Sequence, residues 1–212
     1  MAKDKIAYIM ERVNDQLMDD GFTRWPKAEL INYFNTAQRA VVISRPDASV
    51  VEVENFACVA GTKQTLPEDG LRLVDVRSMT TGAIRSRTRS EMSDLYPDWL
   101  ATTGSSYAEG LIYDEREPKR FFLFPGVAAG TKVELVYSAT PPLRFEADID
   151  AGDTDLDNVY TPPVIEYMLY MAHSKDFEHS EIQKAQMHLA MFNNILGIKS
   201  QSDAAMTPTD KD

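Results

Sequence analysis

Residues 160–177, YTPPVIEYMLYMAHSKDF, decide the fold, because they bring a helix back after a long stretch that reads as β structure. Pro162 and Pro163 stand at its start, where a missing backbone N–H costs nothing, and Ile165, Met168, Leu169 and Ala172 follow along one face. A fourth helix, from about Glu181, places Ile182, Ala185, Leu189, Phe192 and Leu196 at the same steps. Gly197 is expected to stop it.

At the other end of the chain the pattern is the same. Ile6, Ile9, Met10, Val13 and Leu17 mark a first helix over Lys3–Met18, and "DDGF" ends it, with Gly21 available for a left-handed turn. A second helix begins in RWPKAELINYFNTAQ, residues 24–38, with Pro26 at its first position, and stops by Arg45 because Pro46 disfavours helical geometry before it. Asn32, Asn35 and Gln38 sit among Leu30, Ile31 and Phe34, and such amides need polar partners once covered. Asn35 and Gln38 are expected to hydrogen-bond across the bundle or a subunit boundary, and Trp25 to anchor the helix start by packing.

Between the helix pairs the chain turns to short β-branched and aromatic runs punctuated by Gly, Pro and Asp. The runs predict strands at 51–59, 63–66, 71–79, 83–87, 107–114, 120–124 and 132–139. A short helix is expected in SEMSDLYPDWL, ended by Pro97. In 132–139, Val133, Leu135, Tyr137 and Ala139 share one face, the alternation of an antiparallel sheet packed on one side. Neither helix pair covers its own apolar stripe, so the two pack together. The expectation is an α+β chain: a discontinuous helical bundle from 1–48 and 156–199, an inserted antiparallel β domain at 49–155, and a flexible C-terminal tail at 200–212. It also places residues near 48 and 156 close together.

Composition bounds the function. The 212 residues are 43% apolar, enough for a real core, and the formal charge of -11 argues against a protein that binds chiefly by neutralising phosphates. The single cysteine, Cys58, lies in the apolar run FACVA and reads as a small buried hydrophobe. The N-terminus lacks the apolar core of a signal peptide, and no stretch approaches the roughly 20 apolar residues that span a bilayer. The reading is a soluble protein of the cytoplasm, or one assembled there into something larger.

Chemistry-bearing motifs are sparse. EADIDAGDTDLDN alternates Asp148, Asp150, Asp153, Asp155 and Asp157, and calcium loops use alternating carboxylates. An EF-type loop begun at Asp153 puts Asn158 at the turn glycine and Val164 at the bidentate glutamate; begun at Asp148, it ends on Val159. His173, His179 and His188 miss the spacing of a helical zinc pair. VAAGTK lacks the first glycine and the Lys-Ser/Thr pair of a phosphate loop, and no Gly-x-Ser-x-Gly elbow occurs. Arg85, Arg87 and Arg89 stand at period two, which on a strand would project three guanidinium groups from one face toward a partner or a nucleic acid. Two alternatives therefore stay open: a metal-dependent hydrolase using Asp148–Asp157, and a nucleic-acid-binding module using the three arginines.

RWPKAELINYFNTAQRAVVISRPDA, then AGTKQTLPEDGLRLVDV, then YSATPPL, then YMAHSKDFEHSEIQKAQMHLAMFNNILGIKS together resemble the head-to-tail adaptor (connector) proteins of short-tailed bacteriophages that carry a β domain. That resemblance implies a non-enzymatic virion subunit without cofactor or metal, assembled in the host cytoplasm. It implies a dodecameric ring at the head–tail junction, beneath the portal protein, that extends the DNA channel and carries a tail nozzle or tail tube protein. Double-stranded DNA would pass through without specific binding. In such adaptors the bundle builds the ring, the β part faces a tail neighbour and the C-terminal segment enters or lines the portal. Carried onto this chain, Ile198, Lys199 and Met206 become candidate portal contacts, and Arg85, Arg87 and Arg89 candidate tail contacts.

Overall fold

The structure, a computed structural model, describes residues 2–78, 84–175 and 182–206, without the side chains of 78, 198–200 and 202–206. It divides into two compact units, Met1–Ala48 with Pro141–Asp212, and Ser49–Thr140.

The first unit is helical. Helix α1 (Ile6–Leu17) buries the stripe read from its spacing, Ile6, Ile9, Met10, Val13 and Leu17. It ends earlier than expected: Met18, not Gly21, takes the left-handed conformation (φ 53°), and its N–H closes on the carbonyls of Asn14 and Asp15. Gly21 serves the following turn at φ 79°. Helix α2 (Lys27–Ser44) starts one residue after Pro26, whose carbonyl accepts from the N–H groups of Glu29 and Leu30. Its buried residues cover two adjacent faces, Leu30, Phe34, Ala37 and Val41 on one, Ile31, Asn35, Gln38 and Val42 on the next.

After the β unit, which holds the short helix α3 (Arg89–Leu95), the chain returns through an irregular segment to helices α4 (Thr161–Ser174) and α5 (Ile182–Met206). Helix α4 packs on α1, α2 and α5. Helix α5 does not stop at Gly197 as expected but continues to Met206. One glycine costs a helix about 1 kcal/mol, and no proline follows until Pro208, so the residues between carry the helix on. The tail expected from residue 200 is helical backbone to Met206; residues 207–212 lie outside the described part.

The segment 141–155, grouped with the β region in the sequence reading, belongs with the helices. Lys5 forms an isolated bridge with Asp153, the N–H of Ile6 donates to the Gly152 carbonyl at 3.0 Å, and Thr154 N–H donates to the Asp4 carbonyl at 2.8 Å. Gly152 is required there, because a Cβ would lie 2.5 Å from the Asp148 carbonyl oxygen and 3.0 Å from Ile6 Cδ1.

The second unit holds two sheets. Strands β1 (Val50–Ala57), β7 (Lys132–Ala139) and β3 (Gly70–Ser78) form one, in the order β1-β7-β3, wholly antiparallel. Strands β2 (Gly61–Thr65), β6 (Arg120–Val127), β5 (Gly110–Tyr113) and β4 (Arg85–Ser86) form the other, antiparallel except for the short β4–β5 pairing. Val50 pairs with Ser138, and Ala139 N–H donates to the Ser49 carbonyl at 2.8 Å. The two ends of the insert therefore meet at 49 and 139.

Strand β6 shows how period two builds this unit. Phe121 and Leu123 point into a core shared with Val76, Leu135 and Tyr137 of the other sheet. Phe122 and Phe124 point the opposite way, onto a second cluster of Met92, Trp99 and Ile112. Met92 comes from α3 (Arg89–Leu95), the helix expected in this region, which Thr88 and Glu91 start with a reciprocal capping box.

Candidate functional site

The two buried amides of α2 meet the connecting segment. Asn35 Nδ2 donates to the Arg144 carbonyl at 2.8 Å while its Oδ1 accepts from the Arg144 N–H at 2.9 Å. Gln38, fully buried, donates through Nε2 to Asp155 Oδ2 at 3.1 Å and accepts the Asp155 N–H at 3.0 Å. Each amide thus uses both its donor and its acceptor on one residue: Asn35 on the backbone of Arg144, as a strand partner would, and Gln38 on the backbone N–H and the carboxylate of Asp155. Both were expected to bond across the bundle or a subunit boundary; the partners are in the chain's own 141–155 segment. Asn32, one turn earlier and exposed, donates to the Ala28 carbonyl of its own helix.

Arg144 completes the seam by gripping Asp155 through its Nη2, with Nε at 3.1 Å from the second carboxylate oxygen. That carboxylate raises the Arg144 pKa. The sequence reading missed Arg144, whose only signal is a lone cation beside an acidic run.

The remaining aspartates of that run are held one by one. Asp153 faces Lys5 Nζ at 2.7 Å, and the hydrogen bond from that ammonium lowers its pKa. Asp150 lies 3.9 Å from Lys27 Nζ, Asp148 accepts the Phe145 N–H at 2.8 Å, and Asp157 caps a turn through the Val159 N–H. They do not converge: among the described residues no group of three His, Cys, Asp or Glu could hold a metal ion. The hydrolase alternative is left without a metal centre among those residues.

Trp25 is buried, as its packing role requires, and the Arg24 guanidinium lies over its ring at 4.5 Å. A second device fixes the same corner. Burial pushes the Asp19 carboxyl up, but the N–H groups of Trp25, Arg24 and Thr23 all donate to it and bring its pKa below the ordinary value.

The arginine triplet is not one strand face. Arg85 lies in β4, Arg87 follows it with its N–H on the Leu111 carbonyl, and Arg89 is the first residue of α3, where its guanidinium sits 5.5 Å from the Phe122 ring centre. Thr88 breaks the period by capping α3. Arg85 and Arg89 are exposed and Arg87 half-buried, so the three do not form one row.

Two further polar groupings lie in the helical unit. An open cleft of about 530 Å³ between the starts of α1 and α4 is lined by Lys3, Lys5, Tyr8, Arg12 and Glu166. Arg12 there donates to the Tyr8 hydroxyl at 2.8 Å, Lys5 pairs with Asp153, and Glu166 meets His188 Nδ1 at 2.7 Å. His188 stacks on His173 with ring centres 5.4 Å apart, which ties α5 to α4. Ile198, Lys199 and Met206 fall on the helical backbone of α5, and their side chains lie outside the described residues.

A helical body built from both ends of the chain, with a β unit inserted and buried polar groups holding the body together, is consistent with a head-to-tail adaptor of a bacteriophage. The chain belongs to the SU10 adaptor protein family, whose model matches residues 5–212. Comparison with curated proteins finds no match. No described helix is long and apolar enough to cross a membrane.

Proposed function

We propose that this chain is a structural, non-enzymatic ring subunit of a phage virion that binds the portal protein, joins it to the tail and extends the DNA channel. The family match over residues 5–212 carries the reading, and the dodecamer follows the resemblance. The helical unit supplies the ring body and the end of α5, with Ile198, Lys199 and Met206, the portal contact. The β unit, with Arg85, Arg87 and Arg89 at one edge, turns to the tail nozzle or tube. A chain of net charge -11 holds no tight phosphate contacts, so double-stranded DNA slides past it during packaging and ejection. Assembly takes place in the host cytoplasm.

Native mass spectrometry of the full chain mixed with its cognate portal tests this. The expected result is a multi-copy complex, weakened by deletion of 201–212; free chain alone would overturn the proposal.

A further inference from the structure

The chain is acidic overall, yet the cleft between the starts of α1 and α4 is lined by Lys3, Lys5 and Arg12. Lys5, Tyr8 and Arg12 follow one another at steps of three and four residues, so they form one exposed ridge along the start of α1. The two carboxylates in the lining do not answer these cations. Asp4 accepts from the Thr161 hydroxyl at 2.7 Å, and Glu166 faces His188 Nδ1 at 2.7 Å. Arg12 donates to the neutral Tyr8 hydroxyl and lies 5.6 Å from the centre of that ring. Lys5 meets Asp153 in an exposed ion pair, of the kind that contributes little, and Lys3 acts on Asp153 only at longer range. Among the described residues no ion pair ties Lys3 or Arg12 to a carboxylate. Cations elsewhere in the chain, such as Arg45, Arg77, Arg116 and Arg144, each sit beside one. In the cleft they converge on open space instead.

Charge complementarity calls for an anionic occupant, and the walls say which kind. The volume of about 530 Å³ is that of a recess for a few side chains, not of a channel for a duplex. Tyr8, 43% exposed, and the exposed Pro162 on the facing wall offer apolar surface that a phosphate chain would leave against water. A peptide supplies both kinds of contact. Lys5 and Arg12 stand two helical turns apart, about 10 Å along the axis. On an extended peptide rising about 3.3 Å per residue, carboxylates two or four residues apart bracket that distance on one face, and the residues between them point to the other. One face then meets the α1 cations while the other meets Pro162. The excess negative charge of the rest of the chain repels an acidic segment from other surfaces and directs it to this one.

We propose that this cleft docks an acidic peptide segment of a partner protein, its carboxylates on Lys3, Lys5 and Arg12 and its apolar side chains against Tyr8 and Pro162. The inference goes beyond the ring and portal reading and does not depend on it.

The test titrates the full chain into a labelled peptide of alternating glutamate and leucine, at low salt, and reads fluorescence anisotropy. Saturable binding is expected, weakened about tenfold or more by Lys3→Glu with Arg12→Glu and by raised salt. The same charge change on the exposed Lys63 and Lys119 is expected to alter it by less than about twofold. The side chains replaced in the cleft are exposed, so the helical circular dichroism is expected to stay unchanged. Without any variant, hydrogen exchange of the native chain is expected to slow on peptide binding at residues 3–16 and 158–166. No binding at low salt, equal weakening by the cleft and control variants, or unchanged exchange in those two segments overturns the inference. Displacement of the peptide by inorganic phosphate or a short DNA duplex at equal concentration overturns it in favour of a phosphate site. Each of these results leaves the adaptor reading standing.

Discussion

The two units are held together by different means. In the β unit the core closes on itself: β6 alone feeds two apolar clusters, β1 and β7 bring the ends together, and exposed ion pairs such as Arg72 with Glu115 and Arg77 with Glu134 sit on the outside of the sheets. The helical unit is joined from two pieces far apart in sequence, and polar contacts as well as its apolar core link those pieces. Asn35 and Gln38 hold 144 and 155, Asp4 accepts from Thr161 at 2.7 Å, and Lys175 grips Glu29. A unit whose halves meet only after the insert has been made needs contacts that specify register. Paired amides do this better than an apolar stripe, because a misplaced amide leaves a buried polar group unsatisfied.

The largest effect that could break this contrast comes from dissection. Residues 49–140 expressed alone are expected to unfold cooperatively by thermal circular dichroism, whereas 1–48 alone is expected to show no cooperative transition; the reverse would remove the distinction. Next come the cores. Phe34→Ala and Phe121→Ala, each fully buried, are expected to cost about 3–5 kcal/mol. Hydrogen exchange is expected to place the loss in the helical unit for the first and the β unit for the second. The seam is smaller: Gln38→Leu leaves the Asp155 N–H without its acceptor and is expected to cost about 1–3 kcal/mol, read by denaturant unfolding of the helical unit only.

Smallest is Lys5→Ala, which removes an exposed ion pair. The Asp153 carboxyl is held below its ordinary pKa by Lys5 in the folded chain. The stabilisation is therefore present above the unfolded carboxylate pKa and lost as pH falls through the folded one. Lys5→Ala is expected to lower the melting midpoint slightly at about pH 7 and to match the native chain at about pH 2; an equal difference at both would contradict the assigned pair.

Much of this was legible in the sequence, for stated reasons. The stripe of α1, the proline starts of α2 and α4, and the alternation of β7 are local signals that burial obeyed. The 141–155 segment was not legible, because its place is set by Lys5, Asn35 and Gln38, far away in the chain. Period two misread the arginines, since Thr88 ends the strand path by capping a helix. Gly197 did not stop α5, because a glycine penalty of about 1 kcal/mol is spread over a long helix with no proline inside it.

Hydrogen exchange of the full chain, free and bound to its portal, tests most directly the claim that the helical unit is the assembly body. The account predicts that backbone amides of α5 gain protection in the complex, while the sheets of 49–140 keep their free-state rates. Protection gained across the sheets with α5 unchanged would contradict it.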